Sequence, residues 1–131
     1  MITYNTHIIS DIGEIVQDLK QRLKRRAEVL LLVEFMDMLF DWDENKARIN
    51  ENKHGISFLE AMTAFNDPNA IIIDDDEHSD DEERFILLGM SSEVNLLMVC
   101  HCYRDEDDII RLISARKANK RENRKYGGRG K

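Results

Sequence analysis

Three basic residues, Arg84, His101 and Arg111, each fall within an apolar run of strand length. The runs are Arg84 to Met90, Leu96 to Tyr103 and Ile109 to Lys117, separated by polar gaps. A cation inside such a strand must face water or act on something. An imidazole between two guanidiniums suits phosphodiester chemistry. Neighbouring positive charge keeps the histidine neutral, as a general base requires. The guanidiniums would hold a phosphate and stabilise the charge that develops on it during cleavage. A base that activates a 2′-hydroxyl, with arginines on the phosphate, is chemically enough for RNA cleavage. Lys53-His54 closes an expected helix and could supply the acid. The same pair, as cations at a helix C-terminus, would equally complement the helix dipole.

The strands must place these groups. Apolar runs bounded by polar clusters read as an antiparallel meander. With Ser91 to Val94 as the first turn, Met90 opposes Asn95 and Arg84 opposes His101. With Arg104 to Asp108 as the second, Tyr103 opposes Ile109 and His101 opposes Arg111. The three side chains then form a row on the sheet face away from the helices, with neighbours about 5 Å apart at Cβ. A slip of one residue in either pairing sends a member of the row to the other face.

Upstream, Asp43 is a helix cap, with Gly55 as the stop near His54. Ser57 caps a second helix, with Phe58, Ala61, Met62 and Phe65 at helical spacing and Glu60 completing a capping box. Leu39-Phe40-Asp41-Trp42 reads as an edge strand, Asn66-Asp67-Pro68-Asn69 as a breaker, and Ala70 to Ile73 as a strand. A last helix is expected from about Lys117 to Tyr126. The fold class is α+β: a mostly antiparallel sheet, two helices after its first strand and one at the C-terminus. Residues 1–37 form an expected helical extension, 38–126 the main domain and 127–131 a flexible tail. In the extension Ile12, Val16, Leu19, Leu23, Leu30 and Val33 trace the apolar stripe of an amphipathic helix. Met36 and Met38 are both plausible start sites, so the extension could lie upstream of the true domain.

Two other clusters carry less. Asp74 to Glu83 holds eight acidic residues but lacks the glycine and spacing of a calcium loop, so it reads as a solvated connection. Cys100-His101-Cys102 resembles half a zinc site, yet no second ligand pair exists, and strand alternation turns His101 away from both cysteines. No metal and no cofactor are expected. A chain of 131 residues with 42% hydrophobic content is one domain, at most with an appendage. No apolar run approaches membrane-spanning length and no signal sequence is recognised at the N-terminus. Two closely spaced thiols suit a reducing, cytoplasmic setting. The net charge of −7 argues against sequence-blind DNA coating. The charge is polarised, however: Arg111 to Lys131 holds nine Lys or Arg against Glu122 alone.

Phe40-Asp-Trp-Asp-Glu-Asn-Lys-Ala-Arg48, Asn52-Lys-His-Gly-Ile-Ser-Phe58, Phe65-Asn-Asp-Pro68, His78, Glu82-Glu-Arg-Phe85, Leu88-Gly89 and Ile113-Ser-Ala-Arg-Lys-Ala118 closely resemble the BrnT toxins of type II toxin–antitoxin systems. The resemblance covers about Met38 to Tyr126. It implies a fold similar to RelE-type ribonucleases and a metal-independent endoribonuclease that inhibits translation. It implies a BrnA-like ribbon-helix-helix antitoxin, and a complex that reaches operator DNA through that antitoxin. Carried over position by position, the family's basic positions fall on Lys53, His54, Arg84, His101, Arg111, Arg116 and Lys117; of these, Arg84, His101, Arg111 and His54 are the expected catalytic residues. Lys53, Arg116 and Lys117, extended by Lys120 and Arg121 of the basic end, are the expected RNA contacts. That basic end is also where the antitoxin is expected to land. Met90, where the family often has a basic residue, and residues 1–37 depart from the pattern. The competing reading is a non-catalytic module that only docks its antitoxin in an autorepressor complex.

Overall fold

The computed structural model describes residues 30–76, 82–104, 106 and 108–128. The chain divides into two compact units, Met1–Leu30 and Leu31–Lys131. The helix expected within residues 1–37 lies mostly outside the described residues. Where the two overlap, the backbone is instead a strand, β1 (Leu30–Phe35). Met36 and Asp37 follow it, both at positive φ (51° and 67°), as the tightest hairpin turns require. The hairpin returns as β2 (Met38–Asp43).

The remaining elements are α1 (Glu44–His54), α2 (Phe58–Thr63), a 3-10 turn (Ala64–Asn66), β3 (Ile71–Asp74), β4 (Phe85–Met90), β5 (Leu96–Arg104), β6 (Ile109–Lys117) and α3 (Lys120–Gly128). The six strands form one sheet in the order β1-β2-β6-β5-β4-β3. The fold is α+β with a mixed sheet: β3, β4, β5 and β6 pair antiparallel in sequence, but β2 pairs parallel with β6. β2 is therefore not an edge strand. It is held between β1 and β6, with Phe40 and Asp41 fully buried. Among the described residues no helix is long and apolar enough to cross a membrane.

Local chemistry sets the helix ends. The Asp43 carboxylate accepts from the Asn45 and Lys46 amides, and Gly55 at φ 74° closes α1, a left-handed cap that glycine adopts without cost. Ser57 Oγ accepts from Glu60 N–H to start α2. Glu60 does not complete the expected box; its carboxylate accepts from Ser91 Oγ and Asn95 Nδ2 and so pins the β4–β5 turn. α3 begins about three residues later than expected, at Lys120, because Asn119 and Glu122 cap it reciprocally. It continues through Gly128, past the expected start of a flexible tail.

The core lies between the sheet and α1–α2. Phe40, Trp42, Phe58, Ala61, Met62, Leu87, Leu97, Val99, Leu112 and Ala115 form it. Gly89 sits where β4 passes beneath the 3-10 turn; a Cβ there would lie 2.9 Å from the Ala64 carbonyl oxygen. Asp67 ties the far end together, accepting from the Asn69 and Met90 amides and from Tyr126 Oη of α3. Burial opposes its ionisation, but these three hydrogen bonds outweigh it and hold its carboxyl below the ordinary value.

Arg111 grips Asp41 across the parallel pair, through Nε at 3.0 Å and Nη2 at 2.9 Å. Asp41 is buried and Arg111 nearly so. Breaking one side of such a pair strands the other charge. Asp41→Ala should destabilise the fold by about 3–5 kcal/mol, read as a lowered denaturant midpoint. A change below about 1 kcal/mol, the range of exposed pairs, would show that the bridge does not hold β2 to β6.

Candidate active site

The expected row of three basic residues does not form. β4 and β5 pair one residue out of the expected register, so Phe85, not Arg84, opposes His101. The cause is Val94, which adopts φ 61° and lengthens the turn between Ser91 and Asn95, whose backbones bond to each other. β5 and β6 are shifted by one as well: His101 opposes Leu112, and Arg111 opposes Cys102. Each slip reverses the face. Arg84 and Arg111 stay on the face away from α1 and α2, together with the cysteines. His101 goes to the core.

His101 is 0% exposed. Its ring meets Phe65 edge-on at 4.9 Å and also contacts Phe85 and Tyr103. Nδ1 lies 3.1 Å from the Val99 carbonyl oxygen, which assigns the proton to Nδ1 and leaves Nε2, which has no hydrogen-bond partner, as a bare acceptor. Burial pushes its pKa below the ordinary histidine value. A neutral ring sealed among aromatics cannot touch a substrate, so the structure gives His101 a packing role in place of the expected catalytic one. Arg111 is likewise committed, its fork filled by Asp41.

A β-bulge between Cys100 and His101 changes the rest of β6. Arg111 and Arg116 are five apart and would ordinarily face opposite ways. The extra residue in β6, Ile113, restores them to one face, so that Arg116 pairs beside Met98 while Ala115 turns into the core. There an open cleft of about 430 Å³ is lined by His54, Asp75, Arg84, Cys100, Ser114 and Arg116, among others. Three of the expected site residues, His54, Arg84 and Arg116, thus meet at one place. Lys53, Lys117, Lys120 and Arg121 are exposed and do not line the cleft.

Each lining group is positioned by something specific. Asn50, one helical turn before His54, is 6% exposed. Its amide donates to the carbonyls of Ala115 and Ile56 and accepts from Ala115 N–H, at 2.9–3.0 Å. It therefore acts like a neighbouring strand along β6 and fixes the end of α1 beside Arg116. Arg116 forms a bidentate pair with Glu122. That hydrogen bonding holds the Glu122 carboxyl below its ordinary value and raises the guanidinium's. Asp75 is 9% exposed, and Cys100 Sγ lies 3.7 Å from its Oδ2. Burial, then the Asp75 charge, pushes the Cys100 thiol up to about 11, so it is no thiolate nucleophile near neutral pH.

Sequence reasoning assigned Asp75 to a solvated loop, of which residues 77–81 lie outside the described residues. The overlooked signal was alternation: Ile71, Ile73 and Asp75 share a face. Glu82, from the other end of that loop, pairs with Arg104 at 2.8 Å and approaches Arg84 at 3.9 Å. No group of three or more metal-ligating side chains gathers among the described residues.

Two guanidiniums, an imidazole and a carboxylate thus line one cleft of a small α+β protein, groups whose chemistry can hold an anion and move protons. Residues 42–122, well over half the chain, match the family model described as the ribonuclease toxin, BrnT, of type II toxin–antitoxin systems. The chain belongs to that family, and membership implies an antitoxin partner. The 1.1 Å crystal structure of the Brucella abortus ribonuclease toxin BrnT is similar to it, at 22% sequence identity and a TM-score of 0.46, over 60% of this chain and 94% of that one. No curated protein matches the chain at a significant level.

Two outcomes follow from these contacts. Asn50→Ala would strand the Ala115 amide and two carbonyls, and should cost at least about 2 kcal/mol, given about 1–3 kcal/mol per buried unsatisfied group; an unchanged urea midpoint would refute the clamp. His101 has a depressed folded-state pKa, so the unfolded chain binds its proton first. The associated stability is complete above the unfolded value of about 6.5 and is lost as pH falls below it. The Tm should drop between pH 7.5 and 5.5, and His101→Phe should flatten that drop. An equal drop in both proteins would assign it to other groups.

Proposed function

We propose that the chain is a metal-independent endoribonuclease whose RNA cleavage inhibits translation, and that a BrnA-like ribbon-helix-helix antitoxin neutralises it in the cytoplasm. The observation that carries this reading is the convergence of His54, Arg84 and Arg116 on one cleft. Arg84 and Arg116 bind the scissile phosphate and stabilise its developing charge. His54 moves a proton. Lys53, Lys117, Lys120 and Arg121 steer the flanking RNA backbone, a contribution that weakens with salt.

The antitoxin covers the basic end that begins at Arg111, and so closes the cleft to RNA. An acidic or partly disordered segment is drawn to that surface rapidly. Operator DNA is reached only through the antitoxin, in a hetero-oligomer of the two proteins.

His54→Ala should lower RNA cleavage about 10²-fold or more, the usual range for losing a general acid or base, while RNA binding barely changes. Arg84→Ala should weaken both binding and cleavage, since a phosphate contact acts in the ground and transition states. Cleavage at the wild-type rate by folded His54→Ala would remove the proposed role. A wild-type protein that cleaves no RNA yet binds its antitoxin would instead establish the non-catalytic docking module.

A further inference from the structure

A carboxylate is an unexpected lining for a phosphate cleft, because it repels the substrate that the arginines attract. Asp75 nevertheless lies in this one, beside Arg84 and Cys100, and is 9% exposed. Its place is fixed from both sides. The alternation of β3 aims it at the cleft face, and its backbone N–H donates to the Arg84 carbonyl at 2.8 Å. The Cys100 thiol, held protonated, is 3.7 Å from Oδ2 and can donate to it. His54 reaches the same cleft from the end of α1, on a different element. The cleft thus contains a carboxylate, an imidazole and two guanidiniums.

We propose that Asp75 is the general base and His54 the general acid of an RNA transesterification, an assignment that rests on the ribonuclease reading above. The Asp75 carboxylate takes the proton of the 2′-hydroxyl. The 2′-oxygen forms a bond to phosphorus as the bond from phosphorus to the 5′-oxygen breaks. Protonated His54 gives its proton to that departing oxygen. The products are a 2′,3′-cyclic phosphate and a 5′-hydroxyl, and no water or metal enters the balance. Arg84 and Arg116 carry the charge on the non-bridging oxygens. The other titratable or charged groups lining the cleft with Asp75 are Arg84, Cys100, Arg116 and His54.

The test is a pair of pH–rate profiles for cleavage of a short oligoribonucleotide, with a 2′-deoxy version as control. The wild type should give a bell-shaped profile, a cyclic phosphate terminus, and no cleavage at a 2′-deoxy position. Asp75→Asn, which keeps the shape of the side chain, should lower kcat at least about 10²-fold, leave KM within a few-fold, and abolish the acidic limb. His54→Ala should abolish the alkaline limb. Asp75→Asn with wild-type kcat and an intact acidic limb overturns the assignment. So does faster cleavage or tighter RNA binding, which would make Asp75 only a screen for Arg84. If Asp75→Asn is unfolded at the assay temperature, Asp75→Glu decides: a moved acidic limb supports the base and an unchanged one overturns it. A wild type that cleaves nothing removes the ribonuclease reading itself, whereas a cleaving wild type with an indifferent Asp75 removes the base alone.

Discussion

The amide of Asn50 compensates for a gap in the sheet. β2 accompanies β6 only from Leu39 to Asp41, opposite Ile109 to Arg111. Beyond that point the chain leaves the sheet to form α1, and the β6 backbone loses its neighbour on that side. An unpaired backbone group beside the core is costly. Asn50 supplies the missing donor and acceptor at Ala115, and its second donor bond, to Ile56, seats the loop after α1. One side chain therefore couples the helix that carries His54, the strand that carries Arg116, and the buried Ile56 that anchors the start of α2.

The cations of the toxin divide by what surrounds them. Arg111 faces a buried carboxylate and spends its charge on holding β2 against β6. Arg84 and Arg116 stand where Cys100, Ser114 and solvent meet, with Glu82 and Glu122 nearby. Glu122 holds the Arg116 fork through two hydrogen bonds, while Glu82 lies 3.9 Å from Arg84 Nε. An anion entering the cleft would compete with these carboxylates, which favours ligands offering more than one contact. The chain's overall negative charge and its cationic cleft are thus compatible.

Much of the local structure was legible in the sequence. Asp43, Gly55 and Ser57 mark their helix ends because capping is decided by neighbouring residues alone. Three apolar runs announced β4, β5 and β6. What failed was long-range or depended on one backbone angle. Val94 adopts a left-handed φ without being glycine or asparagine, so the turn looked a residue shorter than it is. That error separates His101 from Arg84, and the matching slip between β5 and β6 separates it from Arg111. The bulge at Ile113 left no mark in composition either, yet it decides that Arg116 shares a face with Arg111. The parallel pairing of β2 with β6 joins residues about seventy positions apart, beyond the reach of periodicity. Asp75 was hidden by its acidic neighbours, although the alternation from Ile71 was readable. The apolar stripe through Val33 reads as helical, but the turn at Met36 and Asp37 makes Leu30–Phe35 the first arm of a hairpin.

The position of β6 has a consequence for the order in which the molecule is made. Synthesis runs from the N-terminus, and β6 is the last strand to be translated, yet it lies between β2 and β5. Until residues 109–117 are available, β1–β2 and β3–β4–β5 are two separate half-sheets, with Phe40 and Val99 lacking the strand that joins them. Such non-local pairing makes folding wait on closure of a long loop. Arg116 arrives with that same strand. A ribosome part-way through this message therefore holds an unassembled cleft, and His54, Arg84 and Arg116 first meet when the final strand is inserted.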